Sequence, residues 1–198
     1  DTLTDVSYAV TFVVLSLYGL LANDLTSTKV VGAALISVWA LRLGSFLLYR
    51  IRKTRKDSRF DNIRGNFKRF LQFWVLQGLS VWIILLPMLL LFNNKSAPLG
   101  VLSYAAVIIW AFGLTVEAIA DLQKYRFTSN PAHKGQWIDE GIWKYSRHPN
   151  YLGEITVWVG AYLFALSSLS TGQAVAAIAS PLFITSLLLF VSGIPKLE

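Results

Sequence analysis

Twelve consecutive positions, Trp143–Glu154, read WKYSRHPNYLGE and hold two cations, a histidine, two tyrosines, an asparagine and a glutamate. Arg147 and Lys144 are suited to an anion, Asn150 to an amide or hydroxyl edge, and Glu154 to a hydrogen-bond donor. Pro149 fits the first position of a helix, whose first-turn N–H groups are free to meet a negative group. The stretch stops where an apolar run begins at Ile155, and polar density beside a membrane helix is costly to keep. The plainer alternative is an interfacial loop, with Lys144 and Arg147 on lipid phosphates and Tyr145 and Tyr151 at the headgroups. The mixture of polar types favours a site.

A second constellation precedes it. Glu117 and Asp121 are four residues apart and share one face of a helix. Two acids at the end of a membrane helix oppose its dipole, so they need partners. The plain partners are Lys124, Arg126 or arginines of the loops. The functional reading, which we favour, is that they accept hydrogen bonds from a polar ligand.

The elements that would position these groups are apolar runs. The first, Tyr8–Leu21, is short for a span; Val30–Tyr49 is long enough, with Arg42 as its one charge. Arg42 has two readings of equal weight, snorkelling towards the basic end or pointing into the bundle. Phe70–Phe92 and Leu99–Ala120 follow, then Ile155–Leu169 and Ala174–Val191, with kinks expected at Pro87 and Pro181. Ser129-Asn130-Pro131 should end any helix continuing from the fourth run. Gly135-Gln136-Trp137 and Gly141-Ile142-Trp143 suit turns with interfacial tryptophans.

Composition agrees with a membrane protein: 55% of the 198 residues are hydrophobic and 15% charged, where a soluble domain carries about a quarter. Nine of the eighteen cations lie in 50–69 and five in 121–150, against Lys29 and Lys95 on the opposite side. By the positive-inside rule the expectation is one all-α domain, 1–198, with six spans. Loops 50–69 and 121–150 and both termini are then cytoplasmic. The net charge of +7 is concentrated beside spans and is not spread like a nucleic-acid face. There is no cysteine and there are two histidines, His133 and His148, without metal-ligand spacing, so no metal is expected. A chain opening on Asp1 and closing just past an apolar run carries the expectation that the natural protein extends beyond both.

GIWKYSRHPNYLGE, preceded by EAIADLQKYRF, resembles a bacterial membrane family grouped with the steroid 5α-reductases. The insert KDSRFDNIR resembles that family's Glu-Asp-x-Arg-Tyr pattern, with Lys56 and Phe60 in place of its glutamate and tyrosine. The likeness runs from about Trp39 to Glu198. It implies an inner-membrane reductase of an enone or sterol-like double bond, with NADPH at the cytoplasmic end of a helical bundle and an apolar, lipid-like substrate. It implies that Glu117, Asp121, Asn150 and Glu154 line the cofactor, with Tyr145, Arg147 and His148 beside it. Arg59, Lys124 and Arg126 would serve its phosphates. Without GxGxxG the binding would not be of the Rossmann kind. The acid that protonates the substrate falls to Tyr49, Tyr104 or Tyr151. Steroid reductases use a tyrosine–glutamate pair in their amino-terminal half, and no carboxylate lies in the first three spans here. Their basic-aromatic tail after the last span is also not matched by the ending IPKLE.

A rival resemblance is to isoprenylcysteine and phospholipid methyltransferases, which carry Arg-His-Pro-x-Tyr-x-Gly before a membrane helix and bind S-adenosylmethionine. Here it reads Arg147 to Gly153. Their acidic pair after the last span has no counterpart, and Asn150, Glu154 and the Glu117/Asp121 pair favour the reductase group. A non-enzymatic lipid-binding membrane protein is the third class.

Overall fold

The computed structural model describes residues 2–54 and 66–191; side chains are described over 6–52 and 66–191. Over these residues the chain is all-helical. The elements are α1 (Thr2–Leu21), α2 (Ser27–Thr54), α3 (Phe67–Asn93), α4 (Val101–Ser129), α5 (Pro149–Leu166), α6 (Thr171–Ala177) and α7 (Ala179–Ser186). Two short 3-10 turns, Pro131–His133 and Gly141–Lys144, lie between α4 and α5, and a π turn, Leu187–Val191, extends α7. The all-α expectation holds, with about six helical rods if α6 and α7 count as one. Four stretches are long and apolar enough to cross a membrane: Ser27–Arg52, Phe67–Asn93, Val101–Ser129 and Thr171–Val191. The apolar part of α1, Val6–Leu21, is shorter.

Local chemistry sets the breaks. α4 stops at Ser129, where Asn130 caps the next turn by accepting from the Ala132 N–H at 3.0 Å, ahead of Pro131. α6 and α7 part at Ile178 because Pro181 has no N–H to give the carbonyl four residues back. α3 runs through Pro87 as one helix. Its bundle face begins only at Val81 and continues through Ile84, Leu85, Met88, Leu91 and Phe92.

α4 and α5 form the tightest pair. A β-carbon on Gly160 would lie 2.7 Å from the Trp110 nitrogen, and one on Gly113 would lie 2.7 Å from the Val157 nitrogen. Small residues on both helices let the backbones touch, the usual route to close association in a membrane. At the end away from the basic loops, three turns are tied together. Asn94 and Gln173 exchange amide hydrogen bonds of 2.7 and 3.1 Å, and Asn94 also donates to the Ser168 carbonyl. The Ala97 N–H donates to Ser168 Oγ, and Thr28 Oγ1 donates to the Ala97 carbonyl at 2.6 Å.

Candidate functional site

At the other end, the buried face of α2 meets α4 through one arginine. Arg42 Nη1 donates to Glu117 Oε1 at 2.6 Å and Nη2 to Asp121 Oδ2 at 2.7 Å. The four-residue spacing of the two acids matches the fork of one guanidinium. The arginine also lies over the Phe46 ring, 5.7 Å from its centroid. Of the two readings of Arg42, the inward one holds. The plain reading of the acids named Lys124, Arg126 or loop arginines as partners, and it holds in part: the ion-pair partner is Arg42, while Arg50 and Lys124 lie within electrostatic range of Asp121. A sequence pattern shows which face of α4 the acids share. It does not show that α2 turns its one charge towards that face.

α5 adds the second half. A β-carbon on Gly153 would fall 2.5 Å from the Glu117 nitrogen, so the first turn of α5 lies against the acidic turn of α4. Asn150 therefore comes beside Asp121. Glu154 is half-buried and lies within electrostatic range of Glu117, Asp121 and Arg42. Three carboxylates thus gather around one forked arginine, with Arg50 and Lys124 also within range of Asp121.

An aromatic layer closes this cluster towards the middle of the bundle. Phe12, Trp39 and Trp158 are all fully buried, with ring centroids 5.0 Å (Phe12–Trp39), 5.5 Å (Phe12–Trp158) and 4.8 Å (Trp39–Trp158) apart. Trp39 stands one turn from Arg42, and Trp158 one turn from Glu154. The Trp39 indole adjoins Glu117, although its N–H finds no partner at hydrogen-bonding geometry among the described residues. Tyr8, one turn from Phe12 and edge-on to it at 5.1 Å, is within electrostatic range of Glu154. Tyr8 is the member sequence reasoning missed, and Arg42, whose inward reading it gave, was not tied to the acids. Both lie far from the motif in sequence, and only tertiary packing brings them in.

Two acceptors in this cluster are left open. Glu117 is 2% exposed, and its Oε2 has no hydrogen-bond partner among the described residues; neither has Asn150 Oδ1. Open acceptors in a buried setting favour a ligand that brings donors.

Outside the cluster the chain turns cationic. Lys124 is half-buried, while Arg126, Lys144 and Arg147 are exposed. The segment bearing the last two is docked on α4. Trp143 Nε1 donates to the Ala120 carbonyl at 3.1 Å, the Ile142 N–H to Gln123 Oε1 at 3.1 Å, and Lys124 lies 5.1 Å from the Trp143 ring centroid. Gly141 takes φ 60 to make this turn, where its missing side chain leaves room for Gln123. Trp137 is 89% exposed, as an interfacial residue would be, but Trp143 is 7% exposed, and its interfacial reading is corrected to that of an anchor. After it, Pro149 opens α5 as expected, and His148 stacks on Tyr151 at 5.2 Å.

The remaining site residues are scattered. Tyr145 is 89% exposed. Tyr49 lies on the outside of α2, edge-on to Tyr125 at 5.2 Å. Tyr104 is in the first turn of α4, about 20 Å from Glu117 at helical rise, and is not brought to this cluster. Tyr151 lies at the cluster's end of α5. Arg59, with Lys56 and Phe60, lies outside the described residues. No group of three or more metal-ligating side chains is present among the described residues.

Comparison with known proteins gives a full-length match and a short one. Residues 1–198 match the model of the family described as "Protein of unknown function (DUF1295)". A stretch of 69 residues is 32% identical to a probable O-methyltransferase, ustE, of Ustilaginoidea virens, over 35% of this chain. The chain spans about a quarter of the length of that curated relative, 24%. No solved structure matches.

Proposed function

We propose, from the premise that the chain belongs to the DUF1295 family, that it is a membrane-embedded NADPH-dependent reductase of a carbon–carbon double bond in an apolar, lipid-like substrate. The observation that carries this reading is the sorting of charge at one end of the bundle. Carboxylates and an amide with open acceptors lie inside, and Lys124, Arg126, Lys144 and Arg147 lie at the rim. A cofactor with phosphates at one end and a riboside carrying hydroxyls and a carboxamide at the other matches that order. Cations hold the phosphates outside, and Glu117 Oε2 and Asn150 Oδ1 accept from hydroxyl or amide donors inside. When bound, NADPH supplies a hydride. The chain's own part is to orient the donor-bearing end, to exclude water with the Phe12–Trp39–Trp158 layer, and to offer a proton. Of the tyrosines at this end, Tyr8, within electrostatic range of Glu154, and Tyr151, in the first turn of α5, are the candidate donors. The positive loops belong to the cytoplasmic face of the inner membrane in this reading.

A second reading is methyl transfer from S-adenosylmethionine, favoured by the likeness to an O-methyltransferase. The same acceptors would then meet the ribose diol or the ammonium of the donor. Thermal stability in detergent separates the two. Under the first reading NADPH stabilises the protein, by about 1.4 kcal/mol for each tenfold excess over its dissociation constant, and S-adenosylmethionine does not. The opposite ranking transfers the assignment to the methyltransferases. A response to neither removes both.

A further inference from the structure

Arg42 is the one charged side chain in the interior of α2, and it holds two carboxylates that sequence reading gave to the cofactor. Its fork takes one oxygen from each, Glu117 Oε1 and Asp121 Oδ2. The choice has consequences further out. With Oε1 fixed, the carboxylate of Glu117 presents Oε2 as its open acceptor. Asp121, held on the other arm of the fork, has Asn150 beside it, and Asn150 Oδ1 is the other open acceptor. The open oxygen of Glu117 is thus a consequence of where Arg42 sits, and the open oxygen of Asn150 lies next to the second carboxylate that Arg42 holds.

We propose that Arg42 is a positioning residue. By clamping Glu117 and Asp121 it fixes Glu117 Oε2 as an open acceptor close to that of Asn150, and this seats the hydroxyl- or amide-bearing end of the cofactor. The idea rests on the NADPH reading above. Lysine is a point charge and cannot fork, so it would hold one carboxylate and release the other. A neutral residue would release both.

The experiment titrates two ligands, NADPH and 2′,5′-ADP, against the parent, Arg42→Lys and Arg42→Ala in one detergent. The fragment 2′,5′-ADP carries the phosphates and lacks the nicotinamide riboside. The expected result is unchanged affinity for 2′,5′-ADP in both variants. NADPH affinity falls about tenfold in Arg42→Lys and a hundredfold in Arg42→Ala, and added guanidinium partly restores binding in the alanine variant. If NADPH binds all three proteins alike, or if both ligands weaken together without rescue, Arg42 is only a strut and the proposal is overturned while the NADPH reading stands. If Arg42→Ala does not fold, Arg42→Lys decides by the same comparison of two ligands. If the parent binds neither ligand, the NADPH reading itself fails and the proposal falls with it.

Discussion

Gly153 lies so close to Glu117 that a β-carbon on it would come within 2.5 Å of the Glu117 backbone nitrogen and 2.8 Å of its Cα. The obstacle is backbone, which cannot swing aside as a flexible side-chain end can. This contact sets the depth at which Asn150 and Glu154 meet Glu117 and Asp121. Gly153→Ala should therefore push α5 off α4, costing about 1–3 kcal/mol as overpacking does. It should also weaken cofactor binding, because the acceptor pair straddles the two helices. Gly172, with open space around it, is the control. Thermal melting with nucleotide titration checks both; an alanine at 153 as harmless as one at 172 would contradict the packing argument.

The Arg42–Glu117–Asp121 triad predicts strong non-additivity. Arg42→Met alone leaves the buried Glu117 and the half-buried Asp121 without their fork, a loss of about 3–5 kcal/mol. Replacing all three by apolar residues of similar volume removes the desolvation penalty along with the attraction, and should restore much of that loss. Denaturation of the single and triple variants measures it. A triple variant as unstable as the single one would show that the triad holds the helices by shape and not by charge.

How far the sequence carried is clear from these residues. The acids on α4, the proline opening α5 and the break at Asn130-Pro131 were legible because each depends on local spacing or on the backbone chemistry of proline. The choice of Arg42 as partner was not, because it depends on the rotation of α2 about its own axis. Hydrophobicity all round a membrane helix leaves that rotation unspecified. Trp143 was misread for a similar reason: a tryptophan at a membrane surface and one docked on a neighbouring helix occupy the same kind of sequence. The glycine-mediated approach of α5 to α4 was written in Gly113, Gly153 and Gly160, but their pairing becomes visible only once the two helices are face to face.

The opposite end of the bundle provides a test of stability without function. Asn94 makes three hydrogen bonds, two with Gln173 and one with the Ser168 carbonyl. Asn94→Leu should leave Gln173 and Ser168 short of partners and cost about 1–3 kcal/mol. Nucleotide affinity should not change, since Glu117 lies about 24 Å along α4 from its first residue, Val101, at helical rise. A fall in affinity at unchanged stability would mean that the two ends are coupled.

The charge count predicts an orientation. Fourteen of the eighteen cations lie in 50–69 and 121–150, nine and five respectively. Single cysteines at Ser58 and Ser129 should react with an impermeant reagent only once cells are opened, whereas one at Ser96 should react in intact spheroplasts. Labelling in the reverse order would invert the protein in the membrane and place the polar cluster on the outer side.

Trp143 tests whether the motif is held or merely adjacent. Its indole N–H is the buried tie between the motif segment and the Ala120 carbonyl, and Lys124 lies over its ring. Trp143→Phe keeps an aromatic ring in place and deletes the donor, while the Ala120 carbonyl keeps its helical bond, at a cost of about 0.5–1.5 kcal/mol. The segment carrying Lys144 and Arg147 should then be cut sooner by trypsin, and binding of 2′,5′-ADP should fall several-fold because the rim cations are no longer fixed. Trp137→Phe, at a position 89% exposed, should change neither. If the two phenylalanine variants behave alike in both assays, the rim is not organised through Trp143, and the cations would have to be placed by α5 alone.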